Sequence, residues 1–182
     1  MPTWIWIFII LAGGLFSLKM AYVLCAALAL PVTQGALYVS TSRVKITAIM
    51  DSLKMKPGQI LVDLGCGDGR VLRRANKYFK VKAIGYEINL FAYIKARVLC
   101  LGRKRVIVQR KNFWPVDLSN ADVVFCYLFP DVMKKLSDKL KTELKPGAVI
   151  VSCNFILPGF KPARVLRPEG TLNNDPLYVY QA

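Results

Sequence analysis

From residue 59 onward the chain alternates short apolar, β-rich runs with stretches whose apolar residues recur at helical spacing. No other feature limits the fold as strongly. The expected strands are Gln59–Leu64, Lys82–Tyr86, Val106–Gln109, Val123–Tyr127 and Ala148–Ser152. Between them fall the expected helices Arg70–Phe79, Leu90–Leu101 and Asp131–Leu144. Parallel strands need crossover connections, so this order predicts an α/β fold, a mostly parallel sheet with helices on both faces. Crossovers in such sheets are right-handed, and ligands gather at the carboxyl ends of the strands. The tail adds two short candidate strands, Ala163–Leu166 and Leu177–Tyr180. Upstream, Val44, Ile46, Ala48, Ile49 and Leu53 suit one amphipathic helix, and Pro57-Gly58 a turn.

The apolar fraction, 54%, exceeds what one such domain needs, and the excess sits in Trp4–Val32, where Lys19 is the only charge. About 20 apolar residues suffice to cross a bilayer. No basic segment precedes the run, which argues against a cleaved signal peptide. It is apolar on nearly all sides, which argues against a buried helix of a soluble protein. The expectation is a membrane anchor, either one tilted span or a shorter span near Lys19 followed by an interfacial helix. Arg43, Lys45, Lys54 and Lys56 follow it, so the positive-inside bias places the remainder on the cytoplasmic side. The small-residue break Gly35–Ser42 divides the chain into an anchor, residues 1–36, and a globular domain, residues 37–182.

The net charge is +15 and the chain has no histidine. Beside an anchor, the partner that best accounts for this is anionic lipid. No basic-plus-aromatic module of an RNA-binding type occurs, so nucleic acid is not expected. The cysteines number five, an odd count without a CxxC pair. Cys66, Cys100, Cys126 and Cys153 lie in or beside apolar runs, so reduced thiols are expected, with no metal site or disulfide.

Residues 62–69 read VDLGCGDG at the junction of the first strand and the first crossover helix. Gly65, Gly67 and Gly69 permit backbone angles closed to other residues and let a ligand approach the main chain. The spacing is GxGxG without a G-K-[ST] ending, so neither the dinucleotide nor the P-loop fingerprint is present. Asp63 and Asp68 would repel a diphosphate and attract an amine or a sulfonium. Glu87, in GYEIN at the end of the second strand, is placed to accept the hydroxyls of a ribose.

VDLGCGDG, GYEIN and the later LKPGAVIV together resemble the class I methyltransferases that use S-adenosylmethionine, whose fold is Rossmann-like. The stretches YVSTS, DLGCGDGR, GYEIN, KNFWPVDLS and VSCNF resemble membrane-anchored protein-lysine methyltransferases. These are the enzymes acting on the ATP synthase c subunit and the adenine nucleotide translocase, together with their prokaryotic relatives. The resemblance implies that Asp63, Gly65, Gly67 and Asp68 hold the methionine part of S-adenosyl-L-methionine and that Glu87 takes the ribose. It further implies that Asn112 stands where the family has an aspartate contacting adenine, and that Tyr38 and Thr41 close over the cofactor. Ser40 and Ser42 replace prolines of the family pattern in that segment.

Methyl transfer to lysine needs an aligned, neutral amine. Tyr127 and Phe129, after the fourth strand, are candidates to wall the lysine channel. Asp131 is the neighbouring carboxylate, with a helix-dipole role as its other reading. Asn154 and Phe155 are weaker candidates for the channel's far side. The acceptor expected is a membrane protein. A lipid-soluble small molecule such as a quinone or lipid headgroup is the alternative, and a non-catalytic cofactor-binding scaffold is a third reading.

Overall fold

The computed structural model describes residues 2–29, 41–170 and 175–182. The chain opens with α1 (Thr3–Ala29) and α2 (Arg43–Ser52). It continues through β1 (Ile60–Leu64), α3 (Arg70–Phe79), β2 (Lys82–Tyr86), α4 (Leu90–Leu99) and β3 (Val106–Gln109). Then follow β4 (Val123–Cys126), α5 (Pro130–Glu143), β5 (Val149–Cys153), β6 (Arg164–Leu166) and β7 (Leu177–Gln181). The seven strands form one sheet in the order β3-β2-β1-β4-β5-β7-β6. β1 to β5 are mutually parallel, and β7 runs antiparallel to both β5 and β6. The expected α/β fold is present.

The two-residue period of the strands sorts side chains onto two cores. Leu61, Val123, Phe125 and Val151 face α2, α3 and α4, where they pack with Ile49, Leu72, Ala75 and Ala96. Val62, Leu64, Val124 and Ile150 face α5, where they pack with Met133, Leu136 and Leu140. Strands buried on both faces read as nearly continuous apolar runs, broken here only by Asp63 in β1 and Ser152 in β5, which is why β1, β4 and β5 stand out in the sequence.

Two boundaries differ from expectation in ways that matter for the site. β4 ends at Cys126, one residue early, because the chain must leave the sheet to enter α5 at Pro130. Phe129, preceding that proline, is held extended at φ −75°, ψ 157°. Tyr127 therefore lies just beyond the ladder, half-buried. α4 ends at Leu99, with Cys100 as its cap and Gly102 turning the chain at φ 75°. Asn89 caps its start by accepting from the Ala92 N–H at 3.1 Å.

The glycine of GYEIN has a packing reason. Gly85 pairs with Asp63 across the β1–β2 ladder. A Cβ there would stand 2.5 Å from Leu72 Cδ1 and 2.6 Å from Cys66 Sγ. Gly85→Ala should cost about 1–3 kcal/mol in a urea melt by forcing Leu72 and the glycine loop apart. An unchanged midpoint would show that the loop has room to spare.

α1 meets this body at α4, where Tyr22 lies against Phe91. Its stretch Thr3–Leu24 has a mean hydropathy of 2.1 and no buried residue, so among the described residues one helix is long and apolar enough to cross a membrane. The break Gly35–Ser42, apart from Thr41 and Ser42, lies outside the described residues.

Candidate active site

At the carboxyl end of β1 the chain turns through Gly65, Gly67 and Gly69, at φ 78°, 55° and 71°. L side chains are disfavoured in that region, so the turn needs glycine. The loop is fastened to the end of β2. Both the Gly65 and Cys66 N–H groups donate to the Tyr86 carbonyl, at 2.9 and 3.0 Å. The Gly67 N–H donates to Glu87 Oε2 at 2.9 Å, and the Asn89 N–H to Oε1 at 2.8 Å. Glu87 is buried, so these two donors fix its orientation while each oxygen keeps a lone pair for a further hydroxyl.

The cleft under this loop brings Thr41, Asp63, Gly65, Gly67 and Asp68 together with Tyr127. It adds Cys66, Arg70, Val71 and Phe125, which sequence reasoning did not place there. Phe125 was findable in principle, because it lies two residues before Tyr127 on one strand. Arg70 followed the loop directly but read only as the start of a helix. It donates to Asp68 Oδ1 and Oδ2 at 2.9 and 2.8 Å, and to the Thr41 carbonyl at 2.8 Å. In this way it ties the segment before α2 to the glycine loop.

Asp63 and Asp68 line the cleft, Glu87 does not but accepts from the loop's Gly67 N–H, and the three acids have different charge environments. Asp63 is 2% exposed, and among the described residues no hydrogen bond or ion pair reaches its carboxylate. Burial, with the charges of Glu87 and Asp68 adding, pushes its carboxyl well above the usual range. Burial also raises Glu87, against its backbone N–H partners. For Asp68 burial acts upward, but the hydrogen bonds and charge of Arg70, helped by Arg73, outweigh it and hold the carboxyl low. The Cys66 thiol is raised by burial and then by Asp63, so it faces the cleft protonated. Cys126, raised by burial to about 12, is equally inert.

Other expected residues lie elsewhere. Asn112 is exposed in the loop after β3, where its side chain accepts from the Trp114 N–H at 3.0 Å. It does not line the cleft around Asp63. Phe129 is half-buried at the cap of α5, and Asp131 is exposed in that helix's first turn, suited to its dipole. Tyr38 lies outside the described residues.

A second polar group adjoins the cleft through Tyr127. Lys45 of α2 is 4% exposed, and its Nζ donates to Asn154 Oδ1 at 2.8 Å and Asp175 Oδ2 at 2.7 Å. The ammonium also stands 5.2 Å from the centre of the Tyr127 ring, and the Tyr127 hydroxyl accepts from Asn154 Nδ2 at 3.1 Å. Asn154 is turned inward from β5 by a left-handed backbone, φ 68°. Asp175→Ala should destabilise the fold by roughly 2 kcal/mol, short of the ~3–5 kcal/mol of fully buried pairs because Asp175 is partly hydrated. Lys45→Met should cost less, since the freed carboxylate can hydrate. Denaturant melts that reversed this order would overturn the asymmetry.

These groups fit an adenosyl sulfonium cofactor. A buried carboxylate at the glycine loop, without a partner among the described residues, suits an α-amine, the acidic surroundings suit a sulfonium, and the oriented Glu87 suits ribose hydroxyls. A sheet of this strand order, with acids instead of phosphate-binding amides at its first loop, is that of a class I S-adenosylmethionine-dependent methyltransferase. The chain belongs to the ANTKMT methyltransferase domain family, which matches residues 63–164.

It is 37% identical over 150 residues to a protein-lysine N-methyltransferase of Saccharolobus islandicus, covering 79% of this chain and 91% of that one. It is 36% identical over 146 residues to the adenine nucleotide translocase lysine N-methyltransferase of Mus musculus, covering 79% and 62%. The chain thus spans about three fifths of the length of that mouse relative. Among solved structures, an RNA methyltransferase from Salinibacter ruber in complex with S-adenosyl-L-homocysteine superposes with a TM-score of 0.72. That pair is 29% identical, and the match covers 79% of this chain and 93% of the other.

Proposed function

We propose that this chain is anchored in a membrane by α1 and methylates lysine side chains of a membrane protein, with its catalytic domain on the cytoplasmic side. Once bound, S-adenosylmethionine supplies a methyl group activated by its sulfonium. The chain's own residues do the rest. Asp63 takes the amino group, Glu87 the ribose hydroxyls, and Gly65 and Gly67 let the backbone come close. Asp68, held ionised by Arg70, stabilises positive charge at the loop. Thr41, tied down by Arg70, covers the cleft, and Tyr38 and Asn112 complete the expected cofactor contacts.

The observation that carries the lysine reading is the surroundings of Lys45. A lysine ammonium is already held beside the cleft by a carboxylate, an amide oxygen and an aromatic ring. An acceptor lysine approaching Tyr127, with Phe129 nearby, meets the same chemistry. Its amine has an ordinary pKa of about 10.4 and must lose a proton before attack. Desolvation against Tyr127 and Phe125 and the positive charge of the cofactor favour that loss. With no histidine in the chain, a carboxylate or water receives the proton.

The named relatives from Saccharolobus and mouse support lysine as the acceptor. A membrane-protein acceptor accords with the exposed apolar α1 and with the mouse relative's name. The full chain, supplied with tritiated methyl donor and native membranes, should place label on protein, recovered as methyl-lysine after acid hydrolysis. Label confined to lipid extracts would support the lipid-soluble acceptor instead, and label confined to RNA would overturn both readings.

A further inference from the structure

α4 sits on the domain with its apolar side outward. Of its residues only Ala92 and Ala96 are buried, whereas Phe91, Ile94 and Val98 are 36%, 47% and 58% exposed. At about 100° per residue these three fall within one narrow stripe. Leu101, just past the helix end, is 74% exposed. A surface helix that turns its large apolar residues to solvent and its alanines to the core has an unmet partner. The stripe is bordered by cations: Lys95 on one side, Arg97 on the other, and exposed Arg103, Lys104 and Arg105 beyond its end.

The position of this helix narrows the choice of partner. The Phe91 ring lies 5.7 Å from that of Tyr22, near the end of the apolar stretch Thr3–Leu24 of α1. Tyrosine at the end of a span lies at headgroup level, which places the start of α4 at the same level. Cations around an apolar stripe repel a second copy of the same face and attract an anionic surface. We infer that α4 is a second membrane contact: Phe91, Ile94, Val98 and Leu101 enter the headgroup layer of an anionic bilayer, and Arg97, Arg103 and Lys104 meet its phosphates, while Lys95 pairs with Asp68 at 3.9 Å.

This inference rests on the membrane-anchor reading of α1. It also deepens that reading. α4 begins three residues after Glu87, so seating it on the bilayer sets the mouth of the cofactor cleft beside the membrane surface. Acceptor lysines at the headgroup level come within reach, and lysines far out in solution do not.

The test uses the full chain in vesicles of phosphatidylcholine with phosphatidylglycerol. An environment-sensitive fluorescent residue replaces Val98, Phe8 of α1 or Lys134 of α5 in turn, and lipids carrying a nitroxide serve as quencher. Cofactor-induced thermal stabilisation verifies that each variant is folded. Emission at positions 98 and 8 should be largely quenched and that at 134 unaffected, and quenching at 98 should fall when phosphatidylglycerol is omitted. Quenching at 8 without quenching at 98 overturns the α4 contact and leaves the anchor standing. Quenching at neither overturns both. Quenching at 98 that ignores phosphatidylglycerol overturns the anionic-lipid assignment. A change at 98 that follows protein density and not the nitroxide assigns the face to a second copy.

Discussion

Asp63→Asn should make the cofactor-free protein more stable at neutral pH while weakening S-adenosylmethionine binding on the order of 100-fold, or about 2–3 kcal/mol. The two effects have one origin. Among the described residues Asp63 is buried without a hydrogen-bond or ion-pair partner, and burial together with Glu87 and Asp68 raises its carboxyl in the folded chain. A carboxyl raised on folding binds more protons folded than unfolded, so its contribution favours the folded state below the raised value and is lost as pH climbs through it. At neutral pH, above the ordinary carboxylate range, keeping this carboxyl in the folded chain is therefore a burden on the empty protein, and asparagine removes the ionisable charge with little change of shape. The cofactor's amine is what compensates that charge, so the substitution removes the binding contact as well.

Calorimetry with the cofactor, paired with thermal melts of the empty protein, reads both effects. Binding to the native protein should also release protons over the pH range in which Asp63 is partly protonated, and affinity should fall as pH drops through that range. Buffers of different ionisation enthalpy detect the release. A variant that binds normally would overturn the amine-binding role, and one that melts earlier would show that Asp63 supports the fold.

Glu87→Ala should lose both properties together. Its carboxylate accepts from the Gly67 and Asn89 N–H groups, which the substitution leaves without this acceptor. Stranding a buried donor costs about 1–3 kcal/mol, so the melt should fall by roughly that much. Losing the ribose acceptor and loosening the glycine loop should together weaken cofactor binding by two orders of magnitude or more, on the order of 3 kcal/mol. Glu87→Gln retains one oxygen and should fall between the two. Opposite signs of the stability change at Asp63 and Glu87, with affinity lost in both, would be hard to obtain if either acid were only a packing element. Equal stability changes would remove the distinction between a ligand-binding charge and a loop-fastening one.

The motifs were legible because their reasons are local. GxGxG between an apolar strand and a helix requires left-handed turns, and all three glycines adopt them. β2, β3 and α3 fall where the alternation of the chain places them. Glu87 stands out as an acid at a strand end, although Asn89, two residues later, performs the capping. Contacts between distant segments were illegible. Lys45 read only as one of the cations that follow the apolar segment, yet it is buried against Asn154 and Asp175, which are 109 and 130 residues away. No local pattern announces that pairing, because β5 and β7 become neighbours only in the folded sheet.

Periodicity shows that a helix has an apolar stripe, without showing which way the stripe faces. For α4 that ambiguity hid the outward turn of Phe91, Ile94 and Val98. The small Ala92 and Ala96 let the helix approach the sheet closely, which leaves the larger side chains outside. The sequence by itself determined the class of fold, the acidic glycine loop with its partner acid, and the long apolar helix at the start, since each follows from backbone sterics, charge or hydropathy read along the chain. Only the tertiary structure decided that Asp63 lacks a partner among the described residues, that Lys45 has three, and that α4 exposes its greasy side. Those outcomes depend on which surfaces the crossovers bring together.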